Sequence, residues 1–123
     1  MKLIQFVMNK SEGIAIDTGC HHEIRQQAAI MTFCDVIVST DCFALQLAVA
    51  GKNNVIGIFG PTPAQEIAIF DRGLKVVSEM DCSPCYIRHS SECPYNVACM
   101  KSITPEMVAE KTIGVILKVC SKK

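Results

Sequence analysis

The 123-residue sequence has no tryptophan, two tyrosines and five phenylalanines, and its 12 basic and 12 acidic side chains cancel. So few aromatic rings give no base-stacking surface, and no basic excess supplies the electrostatic footprint of a nucleic-acid binder. The even charge balance also excludes an acidic disordered tail. Seven glycines and five prolines, scattered without period, exclude a collagen-like or low-complexity polymer. A long apolar run is missing too. The most apolar region, Cys42 to Phe59, is broken by Lys52 and Asn53-Asn54 and falls short of the roughly 20 residues a membrane span needs. At the start, Lys2 is followed only by Leu3 to Met8 before polar residues intervene, against about 7–15 apolar residues in a secretory signal. The expected location is therefore the reducing cytoplasm, extending to peripheral contact with the inner membrane face.

What is present is a half-hydrophobic chain with eight cysteines. Its length suits one domain or one piece of a larger protein, with a core that needs no disulfides. The hydrophobic pattern alternates between short runs and helical spacing. Ile14-Ala15-Ile16 is a short apolar run stopped by the turn Asp17-Thr18-Gly19. Ile24, Ala28 and Met31 recur at helical intervals between Glu23 and Phe33, and Val36-Ile37-Val38 reads as a buried strand. An uncharged Ala/Leu-rich helix over Phe43 to Ala50 precedes a strand at Val55 to Phe59. A short helix is expected over Ala64 to Phe70 and a strand at Lys75-Val76-Val77. Thr104-Pro105-Glu106 is a helix start, with a hydroxyl cap, proline at the first position and an acid in the first turn. Val108, Thr112, Val115 and Val119 then mark one face of a terminal helix over residues 104–120. Buried strands alternating with helices predict an α/β fold, a Rossmann-like parallel sheet of three or four strands with flanking helices. Met1 to Gly13 gives no clear pattern.

In such sheets ligands bind beyond the carboxyl ends of the strands. Asp17-Thr18-Gly19, Ser39-Thr40-Asp41-Cys42 and Gly60-Pro61-Thr62 all follow apolar runs. Their hydroxyls, acids and flexible backbone suit a nucleotide or phosphate, and equally suit ordinary turns and helix caps.

The order of motifs goes further. Asp17-Thr18-Gly19, Cys34-Asp35, Asp41, Phe59-Gly60-Pro61-Thr62, Gln65-Glu66-Ile67 and Arg72-Gly73-Leu74-Lys75 follow one another along the chain. Asp81-Cys82-Ser83-Pro84-Cys85-Tyr86, Cys93-Pro94, Cys99-Met100 and Ile103-Thr104-Pro105-Glu106-Met107-Val108 complete the series. This stretch, about four fifths of the chain, resembles the C-terminal domain of heptosyltransferase-like glycosyltransferases (glycosyltransferase family nine), which build lipopolysaccharide cores. The resemblance implies a GT-B enzyme with two Rossmann-like halves, of which residues 1–123 are part of the nucleotide-sugar half. It implies an ADP-heptose-like donor, held by Asp41, Cys42, Phe43, Gln46, Gly60 and Thr62, and a lipopolysaccharide-type acceptor. Backbone N–H groups at a helix start would hold the diphosphate.

Two positions depart from the family pattern of Asp, Ser or Thr, three residues, then His. Cys42 puts a weak thiol donor where a hydroxyl stands, and Gln46 puts a neutral amide where an imidazole can carry charge. Each change removes on the order of 1–3 kcal/mol of hydrogen bonding to an anion. The family's N-terminal half, which carries the acceptor site and general base, has no counterpart in this sequence, so no catalytic residue is assigned. The chain by itself is expected not to turn over. Apolar surface covered in the full family would be open here, so self-association or contact with another protein or the complementary half-domain is expected.

Cys82, Cys85, Cys93 and Cys99 have the spacing C-x2-C-x7-C-x5-C within a cysteine-rich loop over residues 81–102. In a reducing compartment this suits a closed, structural zinc or iron site; two disulfides or four reduced thiols are the alternatives. His89 lies inside that loop and reads as a surface residue, with a competing ligand as the alternative; His21 and His22 precede the first clear helix and read as covering its end or lying in solvent. Cys20, Cys34, Cys42 and Cys120 are scattered and read as small buried hydrophobes that need no special role. Lys118, Lys122 and Lys123 are too few to anchor the tail to a membrane. The rival functional expectation is a degenerate, non-catalytic α/β module, stabilised by the four-cysteine metal site and acting through protein contacts.

Overall fold

A computed structural model describes residues 2–87 and 89–121. The last two lysines of the basic tail, Lys122 and Lys123, lie outside the described residues. The centre is a three-stranded parallel sheet in the order β1 (Val36–Thr40), β2 (Asn54–Phe59) and β3 (Gly73–Val77). Ile37 pairs with Val55 and Ile58 with Val76, so β2 is covered by a strand on each side. Its near-continuous run of apolar residues is what such a position requires.

Both faces of the sheet are covered. Helix α1 (Lys2–Lys10) is followed by α2 (Ile24–Met31) and α3 (Phe43–Ala50); α4 (Ala98–Ser102) and α5 (Pro105–Cys120) close the chain. On one face Leu45, Ala48 and Val49 of α3 pack with Val55, Phe59 and Ala64. On the other, Val115 of α5 and Ile103 pack with Ile56 and Val76. The alternation of Val55 and Phe59 with Ile56 sends successive β2 side chains to opposite faces. This is the α/β Rossmann-like arrangement expected from the sequence.

Several elements end where their caps dictate. Thr104 Oγ1 accepts the Met107 amide at 3.3 Å and Pro105 opens α5. Glu23 and Gln26 form a reciprocal capping box at α2, a pattern the sequence carried in plain view. Asn53, nearly buried in the α3–β2 turn, donates from Nδ2 to the Met31 carbonyl at 2.8 Å and so ties the end of α2 to the sheet.

Three expectations are corrected. Cys20, Cys34, Cys42 and Cys120, read as buried, are all exposed. Val36-Ile37-Val38, read as a buried strand, is the edge strand of the sheet, with Val38 45% exposed. The stretch Ala64 to Phe70 keeps only one 3-10 turn, Ala64–Glu66, because the Lys75 ammonium takes the Ala64 carbonyl at 2.6 Å and Ile67 turns extended. Ile67 and Ile69 then face the core with a period of two, not of a helix. Residues Lys2–Lys10, without a clear pattern in the sequence, are helical. The cysteine-rich loop contains a 3-10 turn, Ser90–Glu92, and the short helix α4.

Candidate functional site

The carboxyl ends of β1 and β2 lie side by side. Thr40, the last residue of β1, pairs with Ile58, one residue before β2 ends at Phe59. Cys42 is extended (φ −153°, ψ 179°) and caps α3 through its carbonyl, which accepts the Leu45 amide at 3.1 Å. The sequence places no charge and no β-branched residue before Val49 in α3, so the helix starts at once after the strand–turn. Asp41 is half-buried, while Cys42, Phe43 and Gln46 are exposed around the helix start, where backbone amides lack intrahelical partners. These four predicted site residues do form one cluster.

Ser39, whose hydroxyl belongs to the same strand-end segment, lies beside Cys42. Its Oγ lies 3.3 Å from the Cys42 Sγ. The hydrogen bond from Ser39 is the main cause holding the Cys42 thiol below its ordinary pKa, against a smaller desolvation effect. The amides of Leu45 and Ala44 and the Thr40 hydroxyl act in the same direction as Ser39, although no hydrogen bond from the thiol caps the helix. The signal was available in Ser39-Thr40-Asp41-Cys42: a hydroxyl three residues before a thiol across a strand end.

Gly60 and Thr62 are placed differently. Gly60 is buried, and a Cβ there would run into the Met100 side chain and lie 3.2 Å from the Cys99 Sγ. Its carbonyl accepts the Ser83 hydroxyl, and the Pro61 carbonyl accepts the Cys85 and Tyr86 amides at 3.1 and 2.9 Å. The segment Gly60-Pro61 therefore holds down the cysteine-rich loop. Thr62 is half-buried just beyond it.

Other residues of the ordered motifs also do structural work. Arg72 donates to the Lys52 carbonyl at 3.1 Å, and the Arg72 carbonyl receives the Val55 amide at 2.7 Å. Gly73 has φ +151° and packs directly on the Val55 backbone, a place no side chain fits.

The four cysteines proposed as ligands are free thiols, Cys99 buried and Cys82, Cys85 and Cys93 half-buried. Among the described residues no group of three or more His, Cys, Asp or Glu side chains is gathered as an ion requires. Cys93 Sγ accepts the Val97 amide at 3.2 Å, Cys99 of α4 is buried beside Gly60, and the Cys85 amide donates to the Pro61 carbonyl. The three histidines are exposed, as expected, and His22 contacts the Thr18 carbonyl.

Fold and site together define a Rossmann-like α/β module with a polar cluster at its strand ends. No family model matches the chain. It is similar to lipooligosaccharide heptosyltransferase 2 of Campylobacter jejuni subsp. jejuni serotype O:2, 27% identical over 106 residues, which cover 83% of this chain and 32% of that protein. The serotype O:6 protein of the same description is 26% identical over 106 residues, covering 83% of this chain and 33% of its own length. The chain spans about a third of the length of these curated relatives. The likeness is a distant, heptosyltransferase-like relationship. No solved structure gives a match. No helix among the described residues is long and apolar enough to cross a membrane.

Proposed function

We propose that the chain is a glycosyltransferase-like module that binds the nucleotide-sugar donor of a heptosyltransferase-type reaction. The observation that carries this reading is that β1 and β2 end side by side and that β1 runs through half-buried Asp41 and the N-cap Cys42 directly into α3. The distant likeness to lipooligosaccharide heptosyltransferases supports it. A donor of the ADP-heptose class would lay its diphosphate against the amides of Phe43 and Ala44, with Asp41 toward the nucleoside or sugar hydroxyls. Cys42, Gln46 and Thr62 would line that ligand, and Gly60 would act from beneath by shaping the loop. Helix amides aimed at the diphosphate stabilise charge as the sugar departs for a lipopolysaccharide-type acceptor. The base that takes the acceptor proton is not among these residues; the reading leaves it to an acceptor domain of the GT-B kind.

Calorimetry with ADP and ADP-heptose tests this. Binding should be measurable at millimolar ligand and weakened by Asp41→Ala. Cys42→Ser with Gln46→His should tighten it by roughly tenfold or more, since each restores a stronger donor to phosphate. No heat from either ligand, in the wild type or the double variant, overturns the reading. A second reading, a non-catalytic module acting through protein contacts, is favoured by one observation, an open apolar groove between β1 and α5. Wild-type protein that binds neither nucleotide yet recovers binding in the double variant would select it.

A further inference from the structure

Between α3 and the segment that leads into β3 lies a cleft of about 500 Å³, lined by Gln46, Val49, Ala50, Lys52, Phe70 and Arg72. Lys52 stands just before β2 and Arg72 just before β3, so the cleft opens at the amino ends of these parallel strands. The donor cluster lies at their carboxyl ends, and of its residues only Gln46 lines the cleft.

Two cations meet here, and no acid lines the cleft. One of the guanidinium N–H groups of Arg72 donates to the Lys52 carbonyl at 3.1 Å, which leaves its other donors for a ligand. Among the described residues neither cation has an acidic partner. Asp71, their nearest acid in sequence, lines a different hollow with Gly73 and Lys118. Capping of α3 does not account for the cations either, because the Ala48 and Val49 carbonyls already accept the Asn53 and Lys52 amides.

Those two amide bonds form a Schellman motif, with Lys52 at the left-handed position (φ 63°) that glycine ordinarily fills. Phe70 (φ 50°) and Asp71 (φ 57°) are left-handed in succession, and Phe70 is 72% exposed. A side chain in this backbone region is strained, and strain persists where the surrounding structure imposes it. Neither the exposed Lys52 nor the bare Phe70 ring offsets its strain by packing in the core. The strained backbone instead presents a cation and an aromatic ring to the same cleft.

We propose that this cleft binds a small phosphate monoester carrying an aromatic ring. Lys52 and Arg72 together match the charge of the phosphate dianion, and the Gln46 amide donates to a phosphate oxygen. The ring lies against Phe70, with Ala50 as an apolar floor. This site is independent of whether the Asp41 cluster binds a nucleotide sugar.

Titration of the isotope-labelled full chain with phenyl phosphate, followed by NMR, tests it. The amides of Lys52, Phe70 and Arg72 should shift at millimolar ligand. Benzoate, which carries a single charge, and inorganic phosphate, which has no ring, should each bind at least about threefold more weakly. Phe70→Ala and Lys52→Gly should each weaken phenyl phosphate by a similar factor. Lys52→Gly should also raise the thermal midpoint, because glycine relieves the left-handed strain. A lysine with no part in binding would give that gain in stability and leave phenyl phosphate affinity unchanged, which overturns the proposal. Circular dichroism confirms that both variants are folded. No shift in the cleft, or shifts confined to Phe43 and Ala44, also overturns it, as does binding indifferent to Phe70→Ala.

Discussion

Gly60 at the end of β2 and Met100 in α4 share one small space: the thioether of Met100 occupies the position a side chain on residue 60 would take. The Gly60 carbonyl, on its other side, accepts the Ser83 hydroxyl. One glycine therefore seats both ends of the cysteine-rich loop against the sheet. Gly60→Ala should destabilise the protein by about 1–3 kcal/mol through overpacking. Because methionine adapts its shape, Met100→Ala in the Gly60→Ala background should recover part of that loss. Urea denaturation of the two single variants and the double variant measures the coupling; strictly additive losses would show that the two residues do not share the space.

The loop over residues 81–102 is anchored by protein contacts: the Pro61 carbonyl, the Gly60 carbonyl, buried Cys99, and Ser102 Oγ 3.1 Å from Ser78 Oγ. Chelation should therefore leave its resistance to limited proteolysis unchanged, whereas Ser83→Ala should loosen it. Elemental analysis belongs in the same experiment. Stoichiometric zinc or iron, with a loop that becomes protease-sensitive on chelation, would restore the four-cysteine centre.

Cys42 combines exposure with a thiol pKa held down chiefly by Ser39. A depressed thiol pKa means more thiolate at a given pH, so alkylation at Cys42 should rise at lower pH than at exposed Cys20, Cys34 or Cys120. Ser39→Ala should move the Cys42 profile to higher pH and leave the other three unmoved. Iodoacetamide labelling across pH, read by peptide mass spectrometry, decides it; coincident profiles for all four thiols would refute the assignment.

Asn53 joins the α3–β2 turn to the end of α2 through the Met31 carbonyl. Asn53→Ala should cost about 1 kcal/mol, since it breaks that bond while the Met31 carbonyl keeps the Cys34 amide. The buried Asn53 Oδ1 has no hydrogen-bond partner, which keeps the loss below that of a fully satisfied amide. Thermal denaturation gives the figure, and a variant as stable as wild type would show that α2 is held by packing alone.

Local chemistry made much of the fold legible. The runs Val36 to Val38 and Val55 to Phe59 are apolar at every position a two-faced strand must bury, and Thr104-Pro105-Glu106 fixes a helix start through caps made of neighbouring residues. The cluster of Asp41, Cys42, Phe43 and Gln46 was equally readable, because residues that follow one another around a helix start are adjacent whatever the rest of the chain does. Only tertiary structure decided the remainder. Spacing can offer four thiols to an ion, but their distances depend on where Gly60, Pro61 and Val97 hold the loop, contacts with no trace in the cysteine pattern. Gly60 likewise reads as a ligand-approach glycine until α4, some forty residues on, fills the space above it. Ile14 to Ile16 is as apolar as a strand yet stays exposed outside the three-stranded sheet, because a strand is made by pairing and not by composition. Sequence specified what depends on neighbours along the chain. What depends on which distant surface arrives first at a given space was decided by packing.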